Sequence, residues 1–337
     1  MAQIVGGFGT SHTPLMSLPG RLWEVYAQGD PQNGELILPP SGKRVTYDEL
    51  LAAADPKIRS VVNVETFEAR AESIQAGLDE VQRRFSETDP DVVVMIGDDQ
   101  SEWFFDNNMP MIHVYWGETV KLLPRTITPN MNEARRVSAL AYGTEERDYP
   151  VDSKFGLHII ESLCEQDFDV AHSAYQQDEY GGSIGPATWY LDMKRSTKPR
   201  PFGLPHAFGF PIARWFDDKS PPIVPITLNT CYPPNWISPR RAYALGLALN
   251  KAIADWDANV RVAVACSGGL SHFVVDEELD RLALQGLETA DGELLSSLPR
   301  ERLQSATTET LNWVVVAGAM AGTGMDRMET ITYEPGY

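Results

Sequence analysis

Residues 91–96, 223–228 and 260–266 are short runs dominated by apolar side chains. Each runs straight into a polar or glycine-rich turn: Gly97-Asp98-Asp99-Gln100, Asn229-Thr-Cys-Tyr-Pro-Pro and Ser267-Gly268-Gly269-Leu270-Ser271-His272. Apolar runs without alternation are strands buried on both faces, as in parallel sheets covered by helices. Helical stretches separate them. Over residues 65–85, Phe67, Ala71, Ile74, Leu78, Val81 and Phe85 recur in threes and fours along one face. Asp152 and Ser238-Pro239 read as starts of further helices over residues 152–165 and from 238 onward. Residues 277–286 and 301–321 read as a helical tail. This order predicts an α/β fold, a single domain over residues 1–337 with a mostly parallel or mixed central sheet flanked by helices. Residues 17–46, rich in Gly, Pro and polar side chains, form a long N-terminal excursion. Strands are also expected at 111–116 and 168–171, and a capped helix start at Thr46.

The first residues carry the most distinctive chemistry. Residues 3–8 read as a strand, Gly9 as the point where the backbone turns, and Thr10-Ser-His12-Thr-Pro14 as its exit. The glycines there are no dinucleotide fingerprint, because a histidine and a proline stand where the helix should begin. Of the six histidines, His12, His206 and His272 fall in Gly/Pro turns, with His206 in a broken loop over 203–212. His113, His158 and His172 lie inside apolar patterns and read as structural. Asp98-Asp99 at the mouth of a buried strand is either a solvated turn or an acidic pair poised for metal work.

Composition narrows the partners. A net charge of −19 repels phosphate backbones and anionic lipid, so neither nucleic acid nor a membrane surface is expected. No apolar run is long enough to span a bilayer. Three scattered cysteines, Cys164, Cys231 and Cys266, read as free buried thiols. With no basic-then-apolar leader pattern, they predict a cytoplasmic location.

Several pieces recur together in a known order: Gly9-Thr-Ser-His12-Thr-Pro, Val92-Val-Val-Met-Ile-Gly-Asp-Asp, and Pro205-His206. They continue with Asn229-Thr-Cys-Tyr-Pro-Pro, Pro239-Arg-Arg-Ala-Tyr-Ala-Leu-Gly, Cys266-Ser-Gly-Gly-Leu-Ser-His272 and Glu309-Thr-Leu-Asn-Trp. In this set the chain resembles the catalytic subunits of class III extradiol ring-cleavage dioxygenases, the protocatechuate 4,5-dioxygenase family. The resemblance implies a non-haem Fe(II) held by two histidines and a carboxylate, a catechol-type aromatic substrate, O2, and a homo-oligomer. His12 matches the first ligand and Glu309 the carboxylate. The second histidine falls where this chain has Gln100, the end of Asp98-Asp99-Gln100. An amide oxygen is a weaker ligand for Fe(II) than imidazole, and Asp98 or Asp99 turned inward would add charge instead. By the same resemblance His272 exchanges protons with the substrate, and His206 orients substrate or oxygen.

Two other functions fit these residues. His12, the acidic pair and Glu309 suit a Zn(II)-bound water, giving a hydrolase or lyase on the same scaffold. Loss of iron through Gln100 would give a non-catalytic subunit. Protocatechuate, gallate, 3-O-methylgallate and biaryl catechols all fit the implied chemistry. Trp23 and Trp103-Phe104-Phe105 wall an aromatic pocket or fill the core. Arg240 and Arg241 are the cations available for an anionic substrate, or they sit on the solvated start of a helix.

Overall fold

A strand buried on both faces needs hydrogen-bonded neighbours at its edges and a layer of side chains over each face. The computed structural model, which describes residues 1–181, 199–216 and 221–337, meets both needs with a six-stranded mixed sheet. The strands are β1 (Gln3–Thr10), β2 (Ile37–Leu38), β3 (Lys43–Arg44), β4 (Val92–Asp98) and β5 (Ile112–Tyr115). They continue with β6 (Thr119–Leu122), β7 (Arg147–Pro150), β8 (Ala171–Ser173), β9 (Ile223–Leu228) and β10 (Arg261–Ser267). The central sheet runs β1-β10-β4-β9-β5-β8. Its first four strands are mutually parallel, β5 is antiparallel to β9, and β8 is parallel to β5. The three apolar runs become β4, β9 and β10, neighbours in the middle of the sheet, and every residue of β4 and β9 is buried.

The pleat splits β4 between two layers. Val92, Val94 and Ile96 join a core beneath the helices Ser153–Glu165, Pro239–Asp255, Glu277–Thr289 and Thr310–Met320. Val93 and Met95 face the other way, onto the helix His206–Trp215, Trp103 and Phe105. The long helix Val64–Thr88 buries Phe67, Ala71, Ile74 and Leu78 against Leu18, Leu22 and Trp23. The N-terminal excursion is thus anchored by its own small core. Trp23, Trp103 and Phe105 belong to these cores, so packing accounts for them. Thr46 and Glu49 form a capping box at the helix Tyr47–Ala53. Among the described residues no helix is long and apolar enough to cross a membrane.

Several expectations are corrected. The strand expected at 168–171 begins only at Ala171. The helix expected over 301–321 is a 3₁₀ turn, Ser305–Glu309, leading into the helix Thr310–Met320, and Gly292–Ser296 is a separate short helix. Cys164 is exposed rather than buried. The chain does not turn at Gly9; β1 continues to Thr10. The main correction concerns residues 203–212, expected as a loop, which contain most of the helix His206–Trp215 with Pro211 inside it. Pro211 has no amide proton for the carbonyl of Ala207. That carbonyl instead accepts from the hydroxyl of Ser267, at the end of β10. A partner from outside the helix supplies the bond that the proline withholds.

The helices Pro239–Asp255 and Thr310–Met320 cross where two glycines meet. A Cβ at Gly246 would lie 2.1 Å from the carbonyl oxygen of Val315, and one at Gly318 would lie 2.4 Å from that of Tyr243. Backbone cannot yield as a flexible side chain does, so Gly246→Ala must push the helices apart. The expected cost is about 1–3 kcal/mol, read as a lower thermal midpoint and a lower denaturant midpoint than the parent protein.

Candidate metal centre

Ligands in open α/β sheets collect beyond the carboxyl ends of the strands, and three strands of this sheet end level with one another. Thr10 of β1 pairs with Ser267 of β10, and Cys266 pairs with Ile96 of β4. The segments that follow therefore emerge side by side: Ser11-His12, Gly268 to His272, and Asp98 to Gln100. Glu309 meets them from the last residue of the 3₁₀ turn below the helix Thr310–Met320. Thr307 of that turn exchanges two hydrogen bonds with the backbone of His272.

The Glu309 carboxylate is the centre of the arrangement. Its Oε2 lies 3.2 Å from His12 Nε2 and accepts from the amide of Gly269 at 2.9 Å. Its Oε1 lies 3.2 Å from His272 Nε2 and accepts from the Gln100 amide at 2.7 Å. Asp98 and His206 close the group: one donor atom from each of His12, Asp98, His206 and Glu309 lies within 4.8 Å of the others. The residues expected from sequence, His12, Gln100, His206, His272 and Glu309, are thus all brought to one place. Gly269 is needed here, since a Cβ would sit 2.5 Å from His272 Nδ1. His206 arrives on the first turn of a helix rather than in a loop.

The outer nitrogen of each imidazole faces an acceptor. His206 Nδ1 meets Glu102 Oε2 at 2.8 Å, and His272 Nδ1 meets the carbonyl of Leu270 at 3.2 Å. His12 Nδ1 meets Ser267 Oγ at 2.8 Å. The one hydroxyl proton of Ser267 is already given to Ala207, so Ser267 must accept from His12. All three outer nitrogens therefore carry protons, and in the neutral rings each Nε2 keeps a lone pair. For His12 and His272 that lone pair points at a carboxylate oxygen. Acceptor facing acceptor is resolved only by a cation, either a proton or a metal ion. Asp98 makes the same demand. It is completely buried, its Oδ1 accepts from Asn312 at 3.2 Å, and its Oδ2 has no hydrogen-bond partner. The donor set fits a divalent metal whose imidazole ligands are each oriented by an outer partner.

The electrostatics agree. Burial would raise the Glu309 carboxyl, but His272 and His12 outweigh it and hold the group well below the usual carboxylate range. Burial and then the charge of Glu309 push Asp98 up to about 6. Burial opposes the charged forms of His206 and His272, yet Glu102 lifts His206 to about 9 and Glu309 raises His272. Asp99 is no solvated turn and is not turned inward. Its oxygens accept from the amides of Glu102, Trp103 and Phe104, and burial pushes it to about 7.

Ser267, Glu102, Asn312 and Tyr142 were not expected. Asn312 also donates to the carbonyl of Ser267 at 2.8 Å, and the Tyr142 hydroxyl donates to the carbonyl of His12 at 2.7 Å. Glu102, two residues past Gln100, was the one nearest to view. His113, His158 and His172 make their bonds elsewhere, to Ser173, Ala252 and Trp116. Arg241 stacks on Phe168 and donates to the carbonyl of Asp167.

Two outcomes follow. Ser267→Ala removes the partner of Ala207 and of His12 together, and costs about 1–3 kcal/mol per stranded buried group, measured by denaturant unfolding. In metal-free protein the His206–Glu102 pair stabilises the fold fully below about pH 6.5, the ordinary histidine value. That contribution disappears as pH rises through about 9. The stability gap between the parent and Glu102→Gln should therefore be widest at pH 6 and shrink steadily toward pH 9.

No curated protein matches the chain. The family model described as the catalytic LigB subunit of aromatic ring-opening dioxygenase matches residues 53–335. The match takes in Asp98, Gln100, His206, His272 and Glu309, while His12 lies well before its start at residue 53. By that match the chain belongs to the family of catalytic LigB subunits of aromatic ring-opening dioxygenases.

Proposed function

We propose that this chain is an Fe(II)-dependent extradiol dioxygenase that opens a catechol-type aromatic ring with O2. In this reading residues 1–337 form a single catalytic domain that works as a homo-oligomer. What carries the proposal is the Glu309 carboxylate set between two imidazole lone pairs, beside a buried Asp98 oxygen with no partner. A bound Fe(II) would supply adjacent positions for two phenolic oxygens and for O2, and a route for electrons between them.

His12 and Glu309 are the first two ligands in this reading. Gln100 is the third, through its amide oxygen; the nitrogen of the same amide donates to Glu309 Oε1 and keeps the side chain at the centre. A specific observation supports a second donor set: Asp98 and His206 crowd within 4.8 Å of the same two residues. His272 stays off the metal. Off the metal, its Nε2 is held against Glu309 Oε1 by a proton. That proton would pass to the substrate as the ring opens and be replaced by one taken from the catechol, with the raised proton affinity that Glu309 confers. Glu102 fixes the His206 ring, so His206 either orients the substrate or serves as the second imidazole ligand.

The deciding experiment loads the protein anaerobically with Fe(II), then follows O2 uptake over a panel of catechols beside metal content. Iron-dependent uptake is expected. His272→Asn should lower kcat by roughly 10²–10⁴-fold while iron content stays at the parent level. Gln100→Ala should weaken Fe(II) binding; if it does not and His206→Ala does, His206 is the ligand. No uptake with any catechol, alongside tightly held Zn(II), would favour the hydrolase or lyase. Failure to hold any metal would leave a non-catalytic subunit.

A further inference from the structure

The turn that presents His272 is gripped from two sides. The His272 amide donates to Thr307. Its neighbour Ser271 is held by Asp280, in the first turn of the helix Glu277–Thr289. Asp280 Oδ1 accepts from the Ser271 amide at 2.7 Å, and Oδ2 accepts from the Ser271 hydroxyl at 2.7 Å. The Ser271 oxygen in turn accepts from the amide of Asp276, which caps the same helix. Asp280 Oδ2 has a further donor, the hydroxyl of Tyr333 at 2.7 Å. Tyr333 belongs to residues 325–337, which form one wall of the cavity that reaches His272; Ser271 and Asp280 line the same cavity.

That C-terminal segment is tied down mainly by side chains. Among the described residues its one backbone–backbone bond runs from the Met328 amide to the carbonyl of Leu287. Arg84 donates to Glu329 and Arg70 to the carbonyl of Pro335, while Glu288 accepts from Thr330 and Glu277 from Tyr337. Of these ties, the one from Tyr333 alone ends on a residue that also holds the His272 turn. Asp280 is 4% exposed, and among the described residues no cation pairs with it. A buried carboxylate without a cation depends on its hydrogen-bond donors. Two of the three come from the turn and one from the C-terminal segment. Removing the third leaves the charge short of donors and draws the side chain toward water, off Ser271. His272 then samples a wider range of positions, and a reacting group displaced by a fraction of its working distance loses much of its rate.

We propose that Asp280 is a positioning residue for His272, and that the C-terminal segment completes its grip through Tyr333. The part His272 plays in proton exchange rests on the dioxygenase reading; the grip on its turn does not.

The test pairs amide hydrogen exchange with turnover in the full-length protein, using Asp280→Asn, Tyr333→Phe and Thr330→Val. Exchange at residues 269–273 reports local opening of the turn. Asp280→Asn should speed it roughly tenfold or more, as for a weakened charge-assisted bond, and Tyr333→Phe several-fold. Thr330→Val cuts the tie to Glu288; it should speed exchange at Met328 and leave residues 269–273 at the parent rate. With 3,4-dihydroxybenzoate and Fe(II), Asp280→Asn and Tyr333→Phe should lower kcat roughly 10- to 100-fold, with KM within about twofold and iron content at the parent level. Unchanged exchange at residues 269–273 in Tyr333→Phe overturns the proposal. So does faster exchange there with kcat unchanged, or an equal loss of kcat in Thr330→Val. If the parent opens no catechol, the dioxygenase reading falls, and exchange at the turn alone then upholds or overturns the grip.

Discussion

A carboxylate sealed away from water between two histidines is the constraint on which this molecule is built. Glu309 is 1% exposed, and an ionised carboxylate so placed is unfavourable unless opposite charge or hydrogen-bond donors surround it. Two donors are built in, the Gly269 amide and the Gln100 side chain. The rest of the need is met by whatever cation lies between its oxygens and the imidazoles. The sheet order, the glycine turn after β10 and the close crossing of the two C-terminal helices all serve to bring these groups together. Each would otherwise be a weak point in the fold.

The central strands were readable from sequence because burial on both faces leaves an apolar run that little else produces. His12 and His272 were readable because they fall in turns after such strands, whereas Glu309, in the helical tail, was readable only through the resemblance to the extradiol dioxygenases. The helix at His206 was hidden for a physical reason. Pro211 argues against a helix on local grounds, and the hydroxyl that repairs the missing bond sits 56 positions later in the chain at Ser267. Local propensity had no access to it. Glu102 and Tyr142 were hidden similarly, since an acid in a polar loop and a tyrosine after a short helix look ordinary until the fold places them against His206 and His12.

Asp98 and Asp99 show how adjacent residues of one type divide in role. Alternation along the chain end sends the first toward the imidazoles and the second back onto its own loop, where three amides hold it. Sequence alone presented them as interchangeable. The backbone around them makes one a member of the centre and the other the clasp that shapes the loop bearing Gln100 and Glu102.

The shared hydroxyl of Ser267 has a consequence for how this protein can change over evolutionary time. One proton serves a helix that contains a proline, and the oxygen that gives it away settles which nitrogen of His12 is bare. A descendant that replaced Pro211 with an ordinary amino acid would recover the amide and set that hydroxyl free to rotate, loosening the choice of tautomer at a distance. Positions 211 and 267 are therefore yoked, and drift at either one alone should be filtered out by its effect on the histidine neither of them resembles.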